Sequence, residues 1–170
     1  IVFAVIGSHK KENNPSVADN QNNKTTAEPT TEEETTTKVP TVEVDLMMIG
    51  DMLMHEGVVK SGLMDDGTYN FDHLYTSIAK DISSADIKIV NQETILGGSD
   101  FAYTGYPTFN SPWALGDAEV KAGFNIILHA TNHTLDKGLK GVENCLSFWK
   151  TYHPDTTVLG INETEEDYEN

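Results

Sequence analysis

A chain of 170 residues, 38% of them hydrophobic, is long enough for one domain with a sizeable core. Its net charge of −16 argues against a nucleic-acid partner, which needs a basic face. All eleven basic residues are lysine, so no guanidinium is available to clamp a phosphate, and a single cysteine, Cys145, excludes an intrachain disulfide.

Much of the charge lies between Glu12 and Asp45 and in the tail Glu163–Glu169, which leaves the folded middle only mildly acidic. In chain order, Ile1-Val-Phe-Ala-Val-Ile6 is apolar but far short of the roughly 20 residues that span a bilayer. Residues 1–11 read as the trimmed end of a signal or anchor segment, with a stray edge strand as the alternative. Residues 12–40 are rich in Thr, Glu, Asn and Pro and bury too little apolar surface to offset the entropy of ordering. They are expected to form a disordered stalk ahead of a domain over residues 41–170.

Val42–Ile49 alternates and then becomes continuously apolar, as a strand entering the middle of a sheet does. It ends in Gly50-Asp51, with His55 four residues on, where a metal-binding end and a capped turn both fit. Phe71, Leu74, Tyr75, Ile78 and Ile82 fall at helical spacing, with Asp72 as the expected N-cap. A second β-run from Asp86 ends in Asn91 and Glu93, which share one face of an extended segment.

Gly97 to Trp113 is irregular and carries Phe101, Tyr103, Tyr106 and Phe109, expected as a lid, a pocket wall or plain loop packing. A helix over 113–122 follows, ended by Gly123, and then a third β-run, Phe124–Ala130. Its end, Asn132-His133-x-x-Asp136-x-Gly138, gathers an amide, an imidazole and a carboxylate within five positions. An orienting carboxylate beside a proton-transfer group suits metal-assisted hydrolysis, although Asn and Asp that merely cap a strand-to-helix turn explain the same string. A further amphipathic helix places Cys145 on its apolar face as a buried structural thiol. His153-Pro154 reads as a surface turn, and Thr156–Gly160 as a fourth strand.

The order β, α, β, α, β, α, β predicts an α/β fold with a largely parallel sheet. Ligands of such sheets bind outside the carboxyl ends of the strands. Three strand ends would then bring Asp51 with His55, Asn91 with Glu93, and Asn132 with His133 to one edge. Such donors suit Mn, Fe or Zn rather than a site built only of oxygen.

Gly50-Asp-Met-Leu-Met-His55, Ala85-Asp86 with Asn91-Gln-Glu93, Tyr106-Pro-Thr-Phe-Asn-Ser-Pro112 and Ala130–Gly138 together resemble the CapA family of capsule and poly-γ-glutamate synthesis proteins. That family lies within the calcineurin-like metallophosphoesterases, and the likeness runs from about Val42 to Gly160. The resemblance implies a layered α-β-β-α sandwich with two divalent metal ions. Asp51 and His55 would bind one metal, Glu93 would bridge, and Asn132 would bind the second. His133 would be the catalytic acid or polarising group, held by Asp86 or Asp136, with Asn91 supporting. Two features depart from the pattern: the spacing Asp51-x-x-x-His55 replaces Asp-x-His, and Glu93 stands where Asp is commoner. The family draws further histidine ligands from its second half and nothing after His133 resembles them, so residues 41–170 read as the N-terminal part of such a domain.

The expectation is thus an exported, membrane-tethered protein at the outer face of a cell. It would act with an anionic surface polymer, or with the machinery that makes it, through a metal-dependent hydrolase-like site. The alternatives are a general metal-dependent phosphoesterase for nucleotides or sugar phosphates, and a non-catalytic scaffold that binds polymer.

Overall fold

Alternation within the strands explains how the chain layers. In the computed structural model, which describes residues 3–6 and 41–169, Met47 and Ile49 are buried while Leu46 and Met48, which alternate with them, are exposed. The expected stalk over 12–40 lies outside the described residues, as does most of 1–11. Val44–Glu169 and the strand Phe3–Ile6 belong to one unit; a second, Ser8–Glu43, is described only in its last three residues.

Five strands form one sheet in the order β1 (Phe3–Ile6), β2 (Leu46–Gly50), β3 (Ile87–Asn91), β4 (Ile126–Leu128) and β5 (Thr157–Leu159). Strands β2 to β5 are parallel, and β1 lies antiparallel along the edge of β2. The helices are α1 (Glu56–Ser61), α2 (Ala79–Ser84), α3 (Ala114–Ala122), α4 (Gly138–Tyr152) and α5 (Glu165–Glu169). The fold is α/β, as the sequence predicts.

Each parallel strand is followed by its spatial neighbour, always in the same direction. Right-handed crossovers then place every connection on one face. Packing agrees: Ile49, Val90 and Ile127, aligned across the sheet, share one core with Val59, Ile82, Leu115, Cys145, Phe148 and Trp149. On the other face Leu46, Met48 and Leu159 are exposed, and Ile87, Ile89, Ile126 and Leu128 are half-buried and do not pack into that core. One sheet with helices on one face is half of the α-β-β-α sandwich; a second sheet is not among the described residues.

Helix α4 buries Gly141, Asn144, Cys145, Phe148 and Trp149, the i, i+3, i+4, i+7, i+8 stripe of an amphipathic helix. Helix α3 ends at Gly123, whose φ of 110° is the left-handed conformation that lets its N–H reach back to the Glu119 and Val120 carbonyls. The expected helix through Phe71–Ile82 is broken. Residues Asp72–Leu74 and Thr76–Ile78 form two 3-10 turns, and regular helix begins only at Ala79. Asp72 caps nothing; its carboxylate accepts from Lys121 and from the Asn70 amide, while Asn70 Oδ1 takes the Asp72 N–H at 2.9 Å. Such local side-chain bonds offer the backbone an alternative to the helical ladder. Among the described residues no helix is long and apolar enough to cross a membrane.

Glu119 of α3 is fully buried in this core. It lies beside the Tyr75 hydroxyl, which favours the charged acid, although the two groups fall outside good hydrogen-bond geometry. Burial pushes the Glu119 pKa well above the usual 4.5, favouring the neutral acid. A raised folded-state pKa gives stability that is full below 4.5 and is lost as pH climbs through the folded value. Glu119→Gln keeps the shape and removes the titration. It is expected to raise stability near neutral pH by on the order of 1 kcal/mol. Urea unfolding of both proteins at mildly acid and mildly alkaline pH checks this; equal alkaline losses in the two would refute it.

Candidate functional site

The polar strand ends meet at the carboxyl edge of the sheet. Asp51 follows β2 directly, and the Asn91 amide at the end of β3 donates to its Oδ1 at 2.5 Å. Beyond the strand the two segments stay together, with Met52 N–H donating to the Asn91 carbonyl at 2.9 Å. Glu93 turns inward two residues later, its side chain only 15% exposed.

The turn after β4 brings the imidazole. Thr131 Oγ1 donates to the Glu93 carbonyl at 2.7 Å and receives His133 N–H at 3.2 Å, which ties the turn to the neighbouring strand end. On the other side Gly160, φ 92°, lets the end of β5 pass close to the start of the turn: a Cβ there would lie 2.4 Å from the Ala130 nitrogen. His133 is equally shielded, with Nδ1 2.8 Å from Asp136 Oδ2 and Nε2 3.9 Å from Glu93 Oε1. A carboxylate oxygen accepts, so Nδ1–H donates to Asp136 while Nε2 faces Glu93.

The irregular segment after β3 closes over this edge. Asn110 pins it from inside: its Oδ1 accepts from Gly97 N–H at 2.9 Å and its Nδ2 donates to the Gly98 carbonyl at 2.9 Å. Phe109, fully buried, packs edge-on against His133 with ring centroids 4.6 Å apart and against His55 at 5.3 Å. Its N–H donates to Asp136 Oδ2 at 2.7 Å, the same oxygen that holds His133. His55 stands at the start of α1, where its ring forms no capping bond.

Charge binds these groups together. Burial raises the Glu93 pKa, the negative charge of Asp51 raises it further, and His133 and His55 oppose the shift. Asp51, His55 and His133 therefore all lie near enough to act on Glu93, while Asn91 touches Asp51 and Asp136 touches His133. Asn132 lies exposed at the tip of the same turn. Asp86 is elsewhere, which corrects its expected support of His133. It precedes β3 at the amino edge, a full strand away, where its Oδ2 accepts from Asp45 N–H at 3.0 Å. Asp136 alone of the two touches the imidazole.

Two further residues shape the site and its support without standing out in the sequence. Phe109 was one of several aromatics in an aperiodic stretch, which offers no spacing to single it out. His129, just past β4, is buried against Trp149 and Cys145. It shares the inward face with Ile127 two positions before, so period-two alternation did mark it as core. Burial lowers its pKa to about 4 and pushes the Cys145 thiol up to about 12, so neither is poised for chemistry.

The donor types at this edge suit a borderline divalent metal, but their number falls short. Among the described residues no group of three or more His, Cys, Asp or Glu comes together to hold one. What the fold and the site define is an α/β protein whose parallel sheet gathers acids and imidazoles at its carboxyl edge. Residues 45–170 match the family described as bacterial capsule synthesis protein PGA_cap, and the chain belongs to that family. No curated protein matches the chain.

Proposed function

We propose that this capsule synthesis protein acts in the synthesis, transport or anchoring of an anionic cell-surface polymer, through a metal-dependent hydrolase-like site. The observation that carries the reading is the arrangement of His133: Nδ1 on Asp136, and Nε2 facing Glu93 across 3.9 Å. An imidazole oriented by a carboxylate at Nδ1, with its second nitrogen facing a carboxylate of raised pKa, is what proton transfer at a hydrolytic site requires.

Asp51 and Glu93 would hold the metal, with His55 and Asn132 turning towards it, and the metal would supply Lewis-acid charge to the scissile group. Asp136 keeps the His133 proton on Nδ1, so Nε2 takes a proton from water or returns one to a leaving oxygen. Phe109 and the segment pinned by Asn110 shield this exchange from bulk water. A segment ending near residue 11 and a stalk over 12–40 would carry the site on the outer face of a membrane.

Binding of Mn²⁺ to the chain, followed by calorimetry or electron paramagnetic resonance, tests the metal reading. The donor set supports weak binding in the wild type, abolished by Asp51→Ala and weakened by roughly tenfold or more in Glu93→Gln. His133→Ala is expected to keep most of the binding. Mn²⁺ affinity unchanged by Asp51→Ala and by Glu93→Gln would defeat it.

A further inference from the structure

Beside Asp51 the chain has a second feature that the metal reading does not use. A cavity of about 200 Å³ opens between β2, α1 and the two 3-10 turns, lined by Ile49, Met52, Met54, Val58, Leu74 and Ile78, with Leu53 and Tyr75 completing the wall. Asp51 is the one charged residue in this lining. Ile49, Met52, Met54 and Tyr75 are all buried, so they form the floor, while the half-buried Leu53, Val58, Leu74 and Ile78 form the rim.

Size and chemistry narrow the occupant. An apolar cavity of about 150 Å³ accepts benzene, so this one has room for an apolar group of about six carbons. Thioether side chains adapt to what they enclose, and Met52 and Met54 supply two here. The wall from Asp72 to Ile78 is built of short 3-10 turns, which hold their geometry less firmly than regular helix. At the mouth, Asp51 Oδ1 is taken by Asn91 and the residue is otherwise exposed. A ligand head placed there meets a carboxylate, which accepts hydrogen bonds and repels anions.

We propose that this cavity is a binding site for a small amphiphile: an apolar group of about six carbons in the cavity, and a hydrogen-bond-donating head, hydroxyl or ammonium, on Asp51. The proposal goes beyond the metal reading and does not depend on it, because the probes are added to chelator-treated protein.

The chain contains five methionines, Met47, Met48, Met52, Met54 and Met64, of which only Met52 and Met54 line the cavity. With ¹³C-methyl methionine as label, 1-hexanol and hexylammonium are expected to shift the Met52 and Met54 signals saturably while those of Met48 and Met64 stay in place. Hexanoate is expected to bind roughly tenfold more weakly than hexylammonium, and Asp51→Asn to narrow that gap. Val58→Phe, or Ile78→Phe should the first fail to fold, is expected to fill the cavity and abolish the shifts, with an unmoved Met47 signal reporting an intact core. No saturable shift at Met52 and Met54 up to roughly 10 mM probe overturns the proposal. So does an equal response of all five methyls, or hexanoate binding as tightly as hexylammonium.

Discussion

Replacing His129 by alanine is expected to cost about 3–5 kcal/mol, enough to threaten folding of a single domain. The ring is 1% exposed, its Nε2 accepts from Trp149 Nε1 at 3.0 Å, and Cys145 Sγ lies 3.6 Å from the same nitrogen. Alanine leaves a cavity in the sheet–α4 interface and strands the indole N–H without an acceptor. His129→Gln, which can still accept from the indole, separates this packing loss from the effect of pH. Burial depresses the His129 pKa from 6.5 to about 4, so the unfolded chain binds a proton that the folded chain refuses. This contribution is fully present above pH 6.5 and is lost as pH falls towards 4, by about 3 kcal/mol in all. Denaturant unfolding between those two pH values measures the slope. An acid limb just as steep in His129→Gln would show that this imidazole is not its source.

Phe109→Ala is expected to have a comparable cost, about 3–5 kcal/mol, and to loosen both imidazoles of the site at once. The ring is fully buried and touches His133 and His55 edge-on, each contact contributing about 0.5–1.5 kcal/mol beyond its area. Its backbone N–H to Asp136 survives the substitution, so the change isolates the ring. The ring-proton resonances of His133 and His55 are therefore expected to lose the upfield and downfield displacements that a nearby aromatic imposes. Phe109→Leu, which keeps most of the volume, is expected to recover most of the stability and none of the displacement. Histidine resonances unmoved in Phe109→Ala would mean that the ring does not position them.

The parts of this fold that were legible in the sequence are those where a period governs the side chains. The four parallel strands, the α4 stripe and the buried Cys145 follow from alternation by two or recurrence at 3.6. The convergence of Asp51, Glu93 and His133 follows from strand order, since parallel strands end at one edge. The misreadings arise where a local bond or an end-to-end distance decides. Phe71–Ile82 has helical spacing, yet Asn70 and Asp72 bond locally and the backbone tightens into 3-10 turns. Asp86 and Glu93 are near in sequence, but the strand between them carries one to each edge. Glu119 follows Leu115 at helical spacing, and that period, not its charge, set its burial.

The side of the sheet that the described residues leave uncovered has a consequence for which substitutions the chain tolerates. Leu46 and Met48 alternate with Met47 and Ile49, and Ile126 and Leu128 flank Ile127, so residues one position apart face opposite surroundings. Threonine or lysine at Met48 or Leu159 is close to neutral while that side stays wet, whereas the same change at Ile49 or Ile127 unfolds the core. A residue-by-residue tolerance map of the strands would therefore read as a comb. Any tooth missing on the Leu46–Met48–Leu159 side would mark where another surface lies against it, without that surface having to be seen.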